Sequence, residues 1–570
     1  MALIDLQAHI KDSNAHHKDL RDGGKLRADL DFNFHSADNV SLFKGKYYLY
    51  SEVTQSLSGG TDIGSLTFNT MNVSREILRL IDDRIQHRSN FRANLFDSTN
   101  TNYFKSIVTT GSASTKSIND GQLTITNSTG ADSEEHFLVR GTGQHPFQFI
   151  KLDVESISGT SGSRNVMICI DKDVNNYIVI VVNKVQSRVE VYEMFGGTGA
   201  ATTIEAAIPT PPYELGVLMA GNDIAIFTRE NNKDWHFVGT HSWTEIDLLD
   251  PAVRDDWDIG FGYRLADTNS CTFNNFTIYQ FTPLGMRDPT VITWKDGAPL
   301  IQNGRIFLGV TLAGWSIRTS CQGIISFNPR SYDICLESLL FRENSNGKTR
   351  PDHASHIFFD QDAEKWYVFW STWGAQRLGD NTYCTVEYSE ARENLLTGIH
   401  YLLSSSCSLP GTGTVHVYDP FVIYDDSVEK WRIAYIKGIG TVAVAESTGD
   451  FTSWSAVASS SLATEAEGTK IVKVNGTYYV VSNNSDNFGY WDYPNLTSVS
   501  NITINVKTGH RHPHPMIIPY YRQGETRYLL VSMDRARAYS KDFSWGALWF
   551  YEADSQATGY EFPLRKLLSL

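Results

Sequence analysis

Two carboxylates, Glu465 and Glu467, stand beside a glycine in "LATEAEGTKIVKVNGTYYVVSNN", just ahead of an apolar run, an Asn-Gly turn and a second apolar run. Asn-Gly between two such runs signals a hairpin, so these acids sit at a hairpin mouth. Similar acids precede other apolar runs: Asp419 in "YDPFVIYDD", Asp288 in "MRDPTVI" and Asp38 in "ADNVSLFKGKYYLYSE". Carboxylates gathered in one place push their pKa values apart, which supplies a proton donor and an ionised acceptor near neutral pH. A second cluster is "GHRHPHP", in which His510, His512 and His514 alternate. In extended backbone the three rings share one side, an arrangement that suits metal ligands, with a surface loop as the plain alternative. Each feature has a plain structural counterpart, since Asp-Pro starts turns and acids at strand ends are commonly solvated. The case for chemistry rests on their recurrence in an ordered series.

That series comes from a repeat. An acid or His, an apolar strand, a polar turn and an aromatic strand recur from Ala37, Arg287, Asp352, Asp419, Glu467 and His512. The later copies are spaced at roughly 45 to 70 residues, the size of a four-stranded propeller blade. The expected fold is therefore all-β, a five- or six-bladed β-propeller in which the first strand of every blade lines a shared channel. Between the first two copies lies a stretch rich in Thr, Ser, Asn and Gly, with long strands such as "NVMICIDKDVNNYIVIVVNK". Its rhythm is that of a two-sheet jelly-roll sandwich, similar in pattern to laminin-G and concanavalin-like modules. The expected division is an N-terminal segment with the first blade over 1–91, an inserted sandwich over 92–283, and the remaining blades over 284–570. "SREILRLIDDRIQHRSNF", Ser74 to Phe91, is the best helical pattern and predicts a short helix with a Ser cap.

The repeats resemble the propeller glycosidases of glycoside hydrolase family 43 and the related invertase and levanase families. The resemblance covers the chain outside the insert. In family 43 an Ala-Asp-Pro type motif carries the general base, a later Asp-Pro orients the acid, and Glu-Gly-Pro in the next blade carries the general acid. Asp419-Pro420 matches the second motif, and Glu467-Gly468 matches the third, with Thr469 in place of proline. The base falls on Asp38, followed by Asn39, or on Asp288, followed by Pro289, and the intact motif favours Asp288. Glu465 is the stand-in for Glu467 if the register is displaced. The family's late active-site His falls on the "HPHP" segment, so His512 and His514 are expected to bind substrate, with Trp373 offering an aromatic face. Arg511 and Arg535 are weaker candidates for a carboxylated sugar. The resemblance implies glycoside hydrolysis, which needs one protonated and one ionised carboxyl. A separation of about 6.5–9.5 Å gives inversion, and about 5–5.5 Å gives retention. Such chemistry requires no cofactor and no catalytic metal, and a structural Ca2+ is the one ion the resemblance admits. Two other readings fit the same architecture. One is a non-catalytic carbohydrate-binding adhesin, and the other is a polysaccharide lyase using His and Tyr.

Composition narrows the partners. The chain has 570 residues, 41% hydrophobic and 12% aromatic, with a net charge of -15. No basic patch dominates, which argues against nucleic acid as partner. No run of about 18 apolar residues marks a membrane span, and the N-terminus lacks a secretory pattern. The six cysteines form no CxxC pair and are expected to be buried thiols. P-loop, GxSxG, HExxH and Asp-box patterns are absent. The expected partner is a polysaccharide, met outside the cell or from a virion, where a phage tail depolymerase needs no export signal. Homo-oligomerisation is admitted, as a trimer if virion-borne.

Overall fold

The computed structural model describes every residue except 1–47, 52–66, 75–88, 95–103, 112–113, 129–130, 140–144, 160–163, 231–232, 234, 267, 281–284, 330–333, 463–464, 485–486, 498, 505–513, 523–524, 535–546 and 555–570. It is all-β: two long antiparallel sheets, followed by a propeller. No helix among the described residues is long and apolar enough to cross a membrane.

The sandwich strands alternate in the way a two-sheet core demands. In Arg164–Asp173, Val166, Ile168 and Ile170 enter the inter-sheet core, while Met167, Cys169 and Asp171 lie on the opposite face. One sheet holds seven strands, including Ser133–Val139, Arg164–Asp173, Asn176–Asn183 and Asp258–Leu265. The facing sheet centres on Phe147–Ile157 paired with Ser270–Gln280, and Ser89–Asn94 pairs with the latter strand. Most of the expected helix over 74–91 lies outside the described residues, and both of its ends are strand: Thr67–Ser74 and Ser89–Asn94.

The propeller is built from antiparallel four-stranded units. Their innermost strands are Gly285–Val291, His353–Asp360, Val417–Asp425, Lys470–Val474 and Met516–Arg522. Among the described residues these five strands pack on one another in a closed cycle, the last against the first. They are buried along most of their length, so their apolar side chains fill the wedges between blades. The fifth unit contains Met516–Arg522, Glu525–Asp534 and Ala547–Asp554, and Thr67–Ser74 is its outer strand. The strand Tyr48–Ser51 pairs with that outer strand. The segment expected to open a blade at Asp38 therefore contributes its described strands to the last blade. The six cysteines form no disulfide; five are buried and Cys335 is half-buried.

The two parts share a face. Phe147 of the sandwich packs on Phe341 of the first blade with ring centroids 5.1 Å apart. The buried Arg254 donates to the Thr349 hydroxyl at 2.7 Å and lies 4.9 Å over the Tyr401 ring. Tyr401 in turn meets His145 Nδ1 at 3.0 Å through its hydroxyl.

Candidate active site

Each innermost strand begins with a backbone kink. Asp288, Ala354, Asp419, Gly468 and His514 occupy one position in five successive blades, and all five have positive φ, between 51° and 70°. In the first three blades a β-bulge falls at this point, between Arg287 and Thr290, His353 and His356, and Tyr418 and Phe421. A bulge re-aims the residue it contains. Here it gathers side chains from different blades, which regular pleating would send into the blade packing. Left-handed backbone costs a non-glycine residue about 1–3 kcal/mol, so the surroundings must hold it. They do so through the backbone amides. Asp419 N–H donates to Ser371 Oγ at 2.9 Å, and Ala354 N–H to Thr311 Oγ1 at 3.1 Å. Asp288 N–H points to Met533 Sδ at 3.1 Å. In each case the acceptor comes from the second strand of the preceding blade.

Three polar side chains meet at the centre. His514 Nε2 lies 3.2 Å from Asp288 Oδ1 and 3.3 Å from Asp419 Oδ2. The three residues are at most 5% exposed. Asp288 Oδ2 accepts from the Thr311 hydroxyl at 2.6 Å, and Asp419 Oδ2 accepts from the Gly468 amide at 2.7 Å. Thr311 thus serves two blades, accepting from Ala354 and donating to Asp288.

Burial alone would raise the Asp288 carboxyl. His514, Arg287, His353 and the Thr311 hydroxyl together outweigh it and hold the pKa at about 2. Burial pushes His514 below its ordinary value, against the pull of Asp419 and Asp288 and with help from Lys470 and Arg287. Lys470 is buried at the start of the fourth blade; desolvation lowers its ammonium to about 8, while Asp419 and Asp288 draw it upward.

Glu467 sits one residue before the kink, so its blade neighbours are Arg287, His353 and Tyr418. Glu467 is thus offset by one residue from the position that Asp288 and Asp419 share. The aligned position in the fourth blade is Gly468, and no other residue fits. A Cβ there would lie 2.2 Å from His514 Cα, at φ +70°. Glu467 is half-buried, and its backbone is pinned on both sides. Its N–H donates to Asn483 Oδ1 at 2.5 Å, and its carbonyl accepts from Asn483 N–H at 3.2 Å and Ser482 Oγ at 2.9 Å. The stand-in, Glu465, is also half-buried. Tyr418 bridges the third and fourth blades by donating its hydroxyl to the Ala466 carbonyl at 3.4 Å.

The structure thus brings Asp288, Asp419 and His514 together, with Glu467 adjoining through Gly468. Trp373 is stacked on His416 at 5.2 Å and edge-on to Tyr418, the residue before Asp419, at 5.1 Å. Asp38, His510, Arg511, His512 and Arg535 lie outside the described residues. The expected alternation of the His cluster along a strand ends at His514, whose φ of 61° is not extended. Asp352 opens the second blade's repeat but turns away from the centre, accepting from Arg342 Nε at 2.6 Å and the Ala375 amide at 2.9 Å. Sequence reasoning missed Thr311, Ser371, Asn483, Lys470, Arg287 and His353. Lys470, a charge in an otherwise apolar inner strand, was the detectable signal among them. Small hydroxyl residues at strand ends look like any others.

The chain matches no family model and no curated protein. Solved structures similar to it include a thermostable family-43 glycoside hydrolase, at 16% identity and TM-score 0.33, covering 46% of this chain and 88% of that one. Another is a family 117 glycoside hydrolase from the marine bacterium Zobellia galactanivorans, at 12% identity and TM-score 0.34, covering 49% and 87%. A third is the carbohydrate binding module CBM66 from Bacillus subtilis, at 15% identity and TM-score 0.23, covering 31% and 98%. The likenesses are partial, and the propeller-and-sandwich architecture rests on the strand pairing itself.

Proposed function

We propose that the chain is a glycoside hydrolase acting on a polysaccharide, with its catalytic centre where the inner strands of the propeller converge. The observation that carries this is the meeting of Asp288 and Asp419 on one nitrogen of His514, with the Glu467–Gly468 backbone hydrogen-bonded to Asp419. Glu467 is the general acid that protonates the leaving oxygen. Half-buried rather than enclosed like the two aspartates, it is the more accessible of these carboxyls to a sugar. Asp288 is the ionised partner. A carboxylate held at about 2 keeps its charge at every working pH, which suits it to orient the attacking water and stabilise positive charge growing on the sugar. Asp419 positions the acid through the Gly468 amide, and His514 fixes the spacing of the two aspartates. Trp373 would offer its ring to the polymer.

The lyase alternative needs a base at His or Tyr. His514 is confined between two carboxylates, and burial pushes the Tyr418 phenol well above its ordinary value, so neither is poised to take a proton from a uronic acid. Incubating the full chain with a panel of polysaccharides tests the proposal. Hydrolysis releases reducing ends without ultraviolet absorption from an unsaturated sugar. An absorbing product would mean a lyase, and binding without any cleavage would mean an adhesin.

A further inference from the structure

The sandwich holds a second cluster of reactive side chains, far in sequence from the funnel residues. His136 and the pair Cys169 and Asp171 lie on the two strands that flank Asp258–Leu265 in one sheet, on the face turned away from the inter-sheet core. One donor atom from each can be chosen so that all lie within 4.8 Å of one another. All three residues are at most 1% exposed. His136 Nδ1 meets Asp171 Oδ2 at 2.5 Å, and His136 Nε2 meets Glu134 Oε1 at 3.1 Å. The other Asp171 oxygen, Oδ1, is buried without a hydrogen-bond partner among the described residues. An unsatisfied carboxylate oxygen in such a place is costly and calls for an occupant. The backbone also makes room for these groups. A Cβ on Gly262, in the strand between those of His136 and Cys169, would come within 2.9 Å of the imidazole and 3.0 Å of the thiol.

We propose that His136, Cys169 and Asp171 form a binding site for a thiophilic divalent metal ion such as Zn2+. The ion takes the place of the proton between His136 Nδ1 and Asp171, and both that proton and the Cys169 thiol proton leave to solvent on binding. Asp171 uses its second oxygen to complete the coordination. Glu134 then accepts from the remaining ring N–H of His136, as an outer carboxylate that fixes the ring and raises its basicity. Bond lengths of about 2.0–2.3 Å place two ligands on zinc roughly 3.3–3.8 Å apart, so the 2.5 Å contact between His136 Nδ1 and Asp171 opens to admit the ion while Cys169 Sγ, within 4.8 Å of the other donors, moves in by up to about 1 Å. A thiolate with an imidazole selects zinc or cobalt over calcium, which prefers six to eight oxygens. This differs from the structural Ca2+ that the resemblance admits.

The test uses the full chain, prepared free of metal and titrated with Co2+ and Zn2+. Expected are one bound equivalent, a thiolate-to-cobalt charge-transfer band displaced by Zn2+, and a higher Tm with zinc. C169S abolishes the band. Glu134→Gln keeps it but weakens affinity roughly 10- to 100-fold. The wild-type spectrum decides the matter even if a variant fails to fold. A chain with no charge-transfer band and no zinc-dependent rise in Tm overturns the proposal. So does cobalt binding that survives in C169S, or stabilisation by Ca2+ alone.

Discussion

Asp288 is buried among apolar strands and yet held ionised, and that combination has a measurable consequence. A carboxyl depressed from 3.8 to about 2 contributes roughly 2 kcal/mol of stability above its unfolded pKa, and the contribution is lost as pH falls through its folded value. Urea unfolding between pH 5 and pH 2 is expected to show the wild type losing about 2 kcal/mol more than Asp288→Asn over that range. Parallel pH profiles would mean that Asp288 is not held ionised by its neighbours. At this scale the acids were legible in the sequence because the Asp-Pro and Glu-Gly pairs stand at strand starts. Their supports were not. Nothing in "GVTLAG" or "FWSTWG" marks Thr311 or Ser371 as acceptors for amides a blade away, since their role depends on how neighbouring blades dock.

At the scale of the element, the recurring device is a left-handed kink at the head of each inner strand. In the fourth blade it is met by glycine for two reasons at once, its φ and the approach of His514. Gly468→Ala is therefore expected to destabilise the chain by about 2 kcal/mol or more and to displace His514, because the contact is backbone and cannot rotate away. Thermal unfolding checks the first effect. Retention of the wild-type Tm would show that the fourth blade is not packed as described. The repeat was visible from the spacing of apolar runs. The one-residue offset between Glu467 and the two aspartates was not, because a bulge changes the facing of a residue without changing the residue types around it.

For the whole molecule, five inner strands close a ring, the N-terminal strand Thr67–Ser74 completes the last blade, and the sandwich leans on the first blade. Arg254 links the two parts through Thr349 and Tyr401, so Arg254→Ala is expected to lower Tm and to separate sandwich unfolding from propeller unfolding in calorimetry. A single unchanged transition would show that this contact does not couple them. The propeller and the sandwich were both legible from strand rhythm, whereas the joining of the N-terminal strands to the last blade depends on long-range closure that no local pattern records. Our proposal for the molecule is that this ring holds an acid and an ionised carboxylate around a glycosidic bond. Its most direct test is the rate of reducing-end release by wild type, Glu467→Gln and Asp288→Asn on a polysaccharide that the wild type cleaves. Losses of roughly 10²–10⁴-fold are expected in Glu467→Gln and at least as large in Asp288→Asn, with folded spectra retained. Undiminished release by Glu467→Gln would contradict it.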